Sequence, residues 1–162
     1  MSKILVIYYS FEGNTEIIAQ SIAQFTHAEL LSIKPVNEIK STGFSKYFWG
    51  GSQVFMKKTP ELITFDQDLS NFDIVFIGTP IWAGTYAPPI KTLFSNEKLK
   101  AKSIYFFYTH DGGPGKVEKF AKIAIEQNNK LIESKGFIHI KKETERNIKE
   151  VQDWITKLNL QT

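Results

Sequence analysis

The sequence predicts a doubly wound α/β fold, in which helices cover both faces of a parallel sheet. Three apolar runs, at residues 4–9, 74–77 and 104–108, are nearly unbroken and rich in β-branched and aromatic side chains. Such runs are typical of parallel strands that are buried on both faces. Segments with helical spacing alternate with them, and this alternation favours right-handed crossovers between parallel neighbours.

Two more strands and three helices complete the predicted elements. The second strand covers residues 30–33, and a weaker fifth strand covers residues 137–140. Each helix is predicted from apolar residues that fall on one stripe of a 3.6-residue period. The stripes are Ile18, Ile22 and Phe25; Val117, Phe120, Ala121 and Ala124; and Ile148, Val151, Ile155 and Leu158.

Length and composition limit the function classes. The chain has 162 residues, of which 42% are hydrophobic, so we expect one domain over residues 1–162 with a substantial core. It has no cysteine, which excludes disulfides, thiolate nucleophiles and iron–sulfur clusters, so redox chemistry would require a bound cofactor. The net charge of +3 comes from scattered lysines and argues against a nucleic-acid partner.

No window of the sequence resembles a membrane span or a signal peptide. The apolar run at residues 4–9 is too short for either, and later runs stay well below the roughly 18 residues that a spanning helix requires. We therefore expect a soluble cytoplasmic protein without a membrane partner. The sequence leaves open whether it is a monomer or a homodimer.

The turn after the first strand is a candidate anion site. A helix is predicted to begin directly after Ser10-Phe11-Glu12-Gly13-Asn14-Thr15, and unpaired N–H groups at a helix N-terminus attract phosphate. Ser10 and Thr15 add hydroxyl donors, Gly13 permits close approach of the backbone, and Asn14 or Thr15 can cap the helix. The same residue types also form ordinary turns and caps. The P-loop and dinucleotide-binding patterns are absent from this turn.

Two further loops should converge on that turn. In a doubly wound sheet, ligands lie beyond the carboxyl ends of the strands, which here are followed by residues 78–89 and 109–115. Trp82 and Tyr86 either offer flat surfaces to an aromatic ring or pack against the neighbouring helix. His110 is interpreted as a turn residue. We identify no catalytic side chain, and no group of residues has metal-ligand spacing.

Together the three loops resemble those of the flavodoxin family. The segment at residues 6–22 resembles the family's FMN phosphate motif: an apolar strand, an aromatic residue, Ser10, Gly13 and Thr15, then an alanine and an aliphatic residue. The resemblance covers essentially the whole chain. It implies a flavodoxin-like, three-layer αβα fold whose five parallel strands lie in the order 2-1-3-4-5, with FMN as the cofactor.

The resemblance also implies which residues contact FMN. The phosphate would lie at the first turn, and a peptide beside the flavin N5, here that between Gly84 and Thr85, would turn over on reduction. The implied cofactor-binding residues are Ser10, Phe11, Glu12, Gly13, Asn14 and Thr15 at the phosphate; Pro80, Ile81, Trp82, Ala83 and Gly84 on one side of the isoalloxazine; and Thr109, His110, Asp111, Gly112 and Gly113 on the other.

The implied function is to carry electrons one at a time between redox partner proteins. The alternative is an NAD(P)H-dependent FMN oxidoreductase that reduces quinones or other small acceptors at the same site. The long excursion at residues 35–60 bears on this choice. Its aromatic residues Tyr47, Phe48 and Trp49 either pack as a satellite cluster, or Tyr47 or Trp49 forms a lid over the ligand. The slight positive charge of the chain predicts a less negative second reduction potential than in acidic members of the family.

Overall fold

Five parallel strands and one short antiparallel strand form the sheet of this computed structural model, which describes residues 2–38 and 58–160. The strands are β1 (Ile4–Tyr8), β2 (Glu29–Ser32), β3 (Ile74–Trp82), β4 (Thr85–Tyr86), β5 (Ser103–His110) and β6 (Lys130–Ile138). The helices are α1 (Asn14–Thr26), α2 (Pro88–Phe94), α3 (Val117–Ile125) and α4 (Thr144–Leu158), and a short 3-10 helix covers Leu69–Asn71.

The parallel strands lie in the order β2-β1-β3-β5-β6. Counting only these strands, this is the order 2-1-3-4-5, so the doubly wound fold is confirmed. The predicted count of five omits β4, which pairs with β3 through Ile81↔Tyr86 and Trp82↔Thr85. Ala83 and Gly84 join the two strands with φ values of 49° and 75°, and a two-residue hairpin turn favours such positive φ angles.

Two hydrophobic cores lie on opposite faces of the sheet. Leu5 and Ile7 of β1 face one core, whereas Val6 and Tyr8 face the other, so successive residues of the strand are buried on both sides. This explains the unbroken apolar run at the start of the chain. Helices α2 and α3 cover the first core, and α1 and α4 cover the second. Among residues 2–38 and 58–160, no helix combines the length and apolar character of a membrane span.

The third and fourth predicted strands are longer than the sequence indicated. Strand β3 continues from Ile77 to Trp82, and β5 ends at His110 rather than at residue 108, so residues 78–82 and 109–110 lie in strands and not in loops. Gly78 was interpreted as the start of a loop, but it lies opposite Phe107 in the paired strand. A Cβ atom at Gly78 would lie 2.1 Å from the Phe107 ring, so this glycine makes room for a core side chain.

The fifth parallel strand was predicted too far towards the C-terminus, and the predicted and observed strands share residues 137 and 138. It covers Lys130–Ile138 rather than residues 137–140, and Phe137 is its one residue in the buried class. Because β6 lies at the edge of the sheet, most of its side chains stay partly or fully exposed, and it carries charged residues such as Lys130 and Glu133. An edge strand of this kind lacks the apolar run that identifies a central strand.

Two helical predictions also need correction. Phe120 was placed on the buried stripe of α3, but it is 40% exposed, and the buried residues are Val117, Ala121 and Ile125. Helix α2 was not predicted, because its first residues, Pro88 and Pro89, were interpreted as part of a loop. Proline is favoured at the first helical position, where its missing N–H has no intrahelical partner.

Part of the excursion at residues 35–60 lies within the described chain. Pro35 forms an isolated antiparallel bridge with Leu62, which brings the two ends of the excursion together. Tyr47, Phe48 and Trp49, the predicted lid or satellite cluster, lie outside the described residues.

Candidate functional site

A cavity of about 310 Å³ opens at the carboxyl ends of β1, β3 and β5, where the strand order reverses. Its volume is at the lower end of the range of about 300–1,000 Å³ that is usual for small-molecule sites. Twelve of the sixteen predicted site residues line it. They are Ser10, Phe11, Glu12, Asn14, Thr15, Pro80, Ile81, Trp82, Thr109, His110, Asp111 and Gly112.

The first turn is fixed by the hydroxyl of Ser10. Its Oγ accepts hydrogen bonds from the backbone N–H groups of Gly13 and Glu16, both at 3.2 Å. These bonds use the acceptor capacity of the hydroxyl and leave its proton to be donated. Gly13 has a φ of 92°, a left-handed conformation that would strain a residue with a side chain.

The start of α1 has unused hydrogen-bonding capacity beside the cavity. The backbone N–H groups of Asn14 and Thr15 have no partner among the described residues, as expected in the first turn of a helix. Asn14 Oδ1 is buried and also has no partner in that part of the chain. Because buried polar atoms are normally paired, these groups fit a polar ligand in the cavity.

A hydrogen bond between two threonines ties the first turn to the opposite wall. The hydroxyls of Thr15 and Thr109 are 2.8 Å apart, and both side chains are buried. One bond between two hydroxyl groups uses one proton and leaves the other for a ligand. The spacing between the turn and β5 is therefore fixed within the described structure.

An aromatic cluster forms the apolar end of the cavity. Trp82 is 5% exposed and packs edge-on against Tyr9, at 5.5 Å between ring centroids, and against Phe11, at 5.7 Å. The Tyr9 hydroxyl donates to Glu38 at 2.9 Å, and burial together with the nearby charge of Glu38 raises the pKa of Tyr9. Tyr86 does not line the cavity but packs edge-on against Phe94 of α2, as the packing alternative predicted.

His110 is held as a neutral acceptor at the cavity wall. Its Nδ1 accepts the backbone N–H of Gly113 at 3.0 Å, and its ring stacks on Tyr108. Burial lowers the pKa of His110; the charge of Asp111 opposes that shift, and His139 adds to it. The proton of the neutral ring is therefore on Nε2 while Nδ1 accepts from Gly113.

Four predicted residues lie beside the cavity without lining it: Gly13, Ala83, Gly84 and Gly113. The carbonyl of Gly84 accepts the N–H of Lys116 at 2.8 Å, and a Cβ atom at Gly115 would lie 2.5 Å from Gly84 Cα. Turning over the peptide between Gly84 and Thr85 would break the bond to Lys116.

The loop after β6 also contacts the site, although the sequence analysis assigned it no role. Lys141 Nζ donates to the carbonyl of Glu12 in the first turn, and His139 Nδ1 lies 3.0 Å from Asp111 Oδ1. The carboxyl end of β6 meets the same edge of the sheet as the other parallel strands. Because the fifth strand was predicted to run on to residue 140, this loop and its position were missed.

A larger groove of about 460 Å³ lies between β6 and α4, away from every predicted site residue. Its lining is mostly charged and polar, and Trp154 Nε1 donates there to Glu133 at 2.9 Å. It lacks the combination of a helix N-terminus and an aromatic wall. The cavity at the carboxyl ends of β1, β3 and β5 is thus the stronger candidate site.

Comparison with known proteins decides the family. A family model described as flavodoxin matches residues 3–158. The chain belongs to the flavodoxin family. For this flavodoxin-family protein, the parallel strand order and the position of the cavity agree with the fold that the sequence resemblance implied.

Solved structures give the same fold. A protein from Bacteroides eggerthii DSM 20697, assigned as a flavoprotein, has 24% identity and a TM-score of 0.82, with 99% of this chain and 100% of that chain covered. A flavoprotein from Lactobacillus acidophilus NCFM, solved in complex with FMN, has 25% identity and a TM-score of 0.70, with 90% and 98% covered. Two-electron reduced flavodoxin from Megasphaera elsdenii has 17% identity and a TM-score of 0.58, with 93% and 96% covered.

Proposed function

We propose that this chain binds FMN in the cavity at the carboxyl ends of β1, β3 and β5 and carries electrons one at a time between redox partner proteins, as one domain over residues 1–162. The observation that carries the proposal is the pairing, in one cavity, of a helix N-terminus rich in donors with an aromatic wall. FMN has a dianionic phosphate at one end and a flat ring at the other. The family membership and the FMN complex of the Lactobacillus acidophilus relative support the choice.

The residues of the first turn would hold the phosphate. The Ser10 hydroxyl has a proton to donate, and the N–H groups of Asn14 and Thr15 are unpaired within the described chain. Charge-assisted hydrogen bonds of this kind are stronger than neutral ones. The positive end of the α1 dipole adds to the attraction.

The other walls would enclose the ring and limit its contact with water. Ile81 and Trp82 lie at the end of β3, and the segment from Thr109 to Gly112 faces them across the cavity. Within the described chain, Trp82 packs edge-on against Tyr9 and Phe11, so the wall is preformed. Bound FMN would supply the electron chemistry itself, and the protein would supply binding and orientation.

The first test is the visible spectrum of the purified full-length chain, followed by identification of any chromophore released on denaturation. We expect a flavin spectrum and the release of FMN. A colourless protein that also fails to take up added FMN would contradict the proposal.

A second assay separates the carrier from the NAD(P)H-dependent oxidoreductase. The FMN-loaded protein is mixed with NADH or NADPH and a quinone, and pyridine-nucleotide oxidation is followed with free FMN at the same concentration as the control. A carrier should oxidise the nucleotide no faster than free FMN does. Rapid, quinone-dependent oxidation would support the oxidoreductase instead.

A further inference from the structure

We propose that Lys141 makes the site selective for the phosphorylated flavin, because its ammonium group pairs with the phosphate of FMN and has nothing to pair with in riboflavin. This inference rests on the proposed function and deepens it. Lys141 follows the last strand of the sheet, far in sequence from the turn that it contacts.

The side chain of Lys141 lies along the first turn, residues 10–15. Its Nζ donates to the carbonyl oxygen of Glu12, and a Cβ atom built on Gly13 would have Lys141 Cε at 4.0 Å. An ammonium group has three N–H donors, and the bond to Glu12 uses one of them. Among residues 2–38 and 58–160, two donors of Lys141 therefore remain unpaired beside the start of α1, together with the positive charge of the ammonium group.

The loop that carries Lys141 is preformed. Asn147 is fully buried, and its Nδ2 donates to the carbonyls of Ile138 at 3.0 Å and Glu143 at 2.9 Å. The N–H of Glu143 also donates to the carbonyl of His139 at 2.9 Å, which closes the turn. Since the backbone of this loop is already fixed, only the Lys141 side chain needs to be ordered when an anion binds.

Two carboxylates beside the cavity oppose phosphate binding, and the positive charge of Lys141 would offset their effect. Glu12 belongs to the first turn, and Asp111 lines the opposite wall of the cavity. Both carboxylates would repel a dianion. Lys141 is exposed, so salt should screen its contribution.

The test is titration of the full-length apoprotein with FMN and, separately, with riboflavin, monitored by flavin fluorescence at low and at high salt. The variants are Lys141→Gln, Lys141→Arg and the control Lys142→Gln, which removes an equal charge from the adjacent, exposed residue. At low salt, Lys141→Gln should weaken FMN binding by about five- to tenfold and leave riboflavin binding unchanged. Lys141→Arg and Lys142→Gln should both bind FMN as the wild type does. High salt should reduce the difference in FMN affinity between Lys141→Gln and the wild type.

Several results would overturn the inference while leaving FMN binding intact. Equal weakening of FMN and riboflavin by Lys141→Gln would indicate a role in loop packing alone. Equal loss in Lys141→Gln and Lys142→Gln would indicate a general effect of net charge, and unchanged FMN affinity in Lys141→Gln would exclude the contact. If the wild-type apoprotein binds neither flavin, the proposed function fails and this inference fails with it.

Discussion

At the scale of single residues, His110 shows how its surroundings can select one protonation state. Its Nδ1 accepts from Gly113, and burial lowers the pKa of the ring below its usual 6.5. Asp111 and His139 face it with opposing effects on that pKa. Because the unfolded chain takes up this proton more readily than the folded chain, the stabilisation is complete above about pH 6.5 and is lost as the pH falls below it.

The variant His110→Asn tests this argument, since its side-chain oxygen can accept from Gly113 but does not titrate. Between about pH 7.5 and about pH 5.5, the Tm of the wild type should fall by about 2–4 °C more than that of the variant, because one hydrogen bond contributes about 1 kcal/mol. The measurement is thermal unfolding by circular dichroism. His27→Asn, which removes a histidine at the C-terminal end of α1, is the control. Parallel pH profiles for the wild type and His110→Asn would contradict the argument.

At the scale of elements, a glycine determines how β3 and β5 pair. Gly78 lies opposite Phe107, and a Cβ atom there would overlap the Phe107 ring at 2.1 Å. Gly78→Ala should therefore lower the free energy of unfolding by about 1–3 kcal/mol, the usual range for overpacking a core. Gly112→Ala is the matched control, because a Cβ atom at Gly112 has no neighbour within 4 Å. Denaturant unfolding checks both, and equal stability of the two variants would exclude this role for Gly78.

Gly78 also explains one error of the sequence prediction, the end of β3. Central strands could be predicted because both of their faces are buried, as Leu5 and Val6 show by facing opposite cores. The length of β3 could not be predicted, because a glycine that accommodates an aromatic ring looks the same in sequence as a glycine that forms a turn. The edge strand β6 lacks an apolar run, and the β3–β4 hairpin has Ala83 at a position where asparagine or glycine would have signalled the turn.

At the scale of the whole molecule, the sequence predicted three of the chain segments that meet at the cavity. The parallel order of the strands places the first turn, the end of β3 and the end of β5 around one cavity. Lys141 could not be predicted in this way, because its contact with Glu12 depends on where β6 ends and on the loop fixed by Asn147. The order of the strands was implied by the resemblance to the flavodoxin family, whereas a long-range contact requires the correct strand ends.

The overall charge predicts a property of the bound flavin. The chain has a net charge of +3, and among the described residues Asp111 is the only carboxylate at the ends of β3 and β5 that lines the cavity. Fewer negative charges near the reduced flavin should make its second one-electron potential less negative than in an acidic flavodoxin measured side by side. A redox titration with reference dyes gives this value. An equally negative potential in both proteins would refute the argument from charge.

The central claim, that the start of α1 holds the phosphate of FMN, is tested most directly by the FMN affinity of the apoprotein. We predict that Ser10→Ala combined with Thr15→Ala weakens FMN binding by at least about tenfold, because hydrogen bonds to a charged group contribute about 1.5–3 kcal/mol each. Ser95→Ala combined with Thr156→Ala, which removes two exposed hydroxyls that bond to helix carbonyls, should bind FMN as the wild type does. An unchanged dissociation constant in the Ser10 and Thr15 double variant would contradict the account.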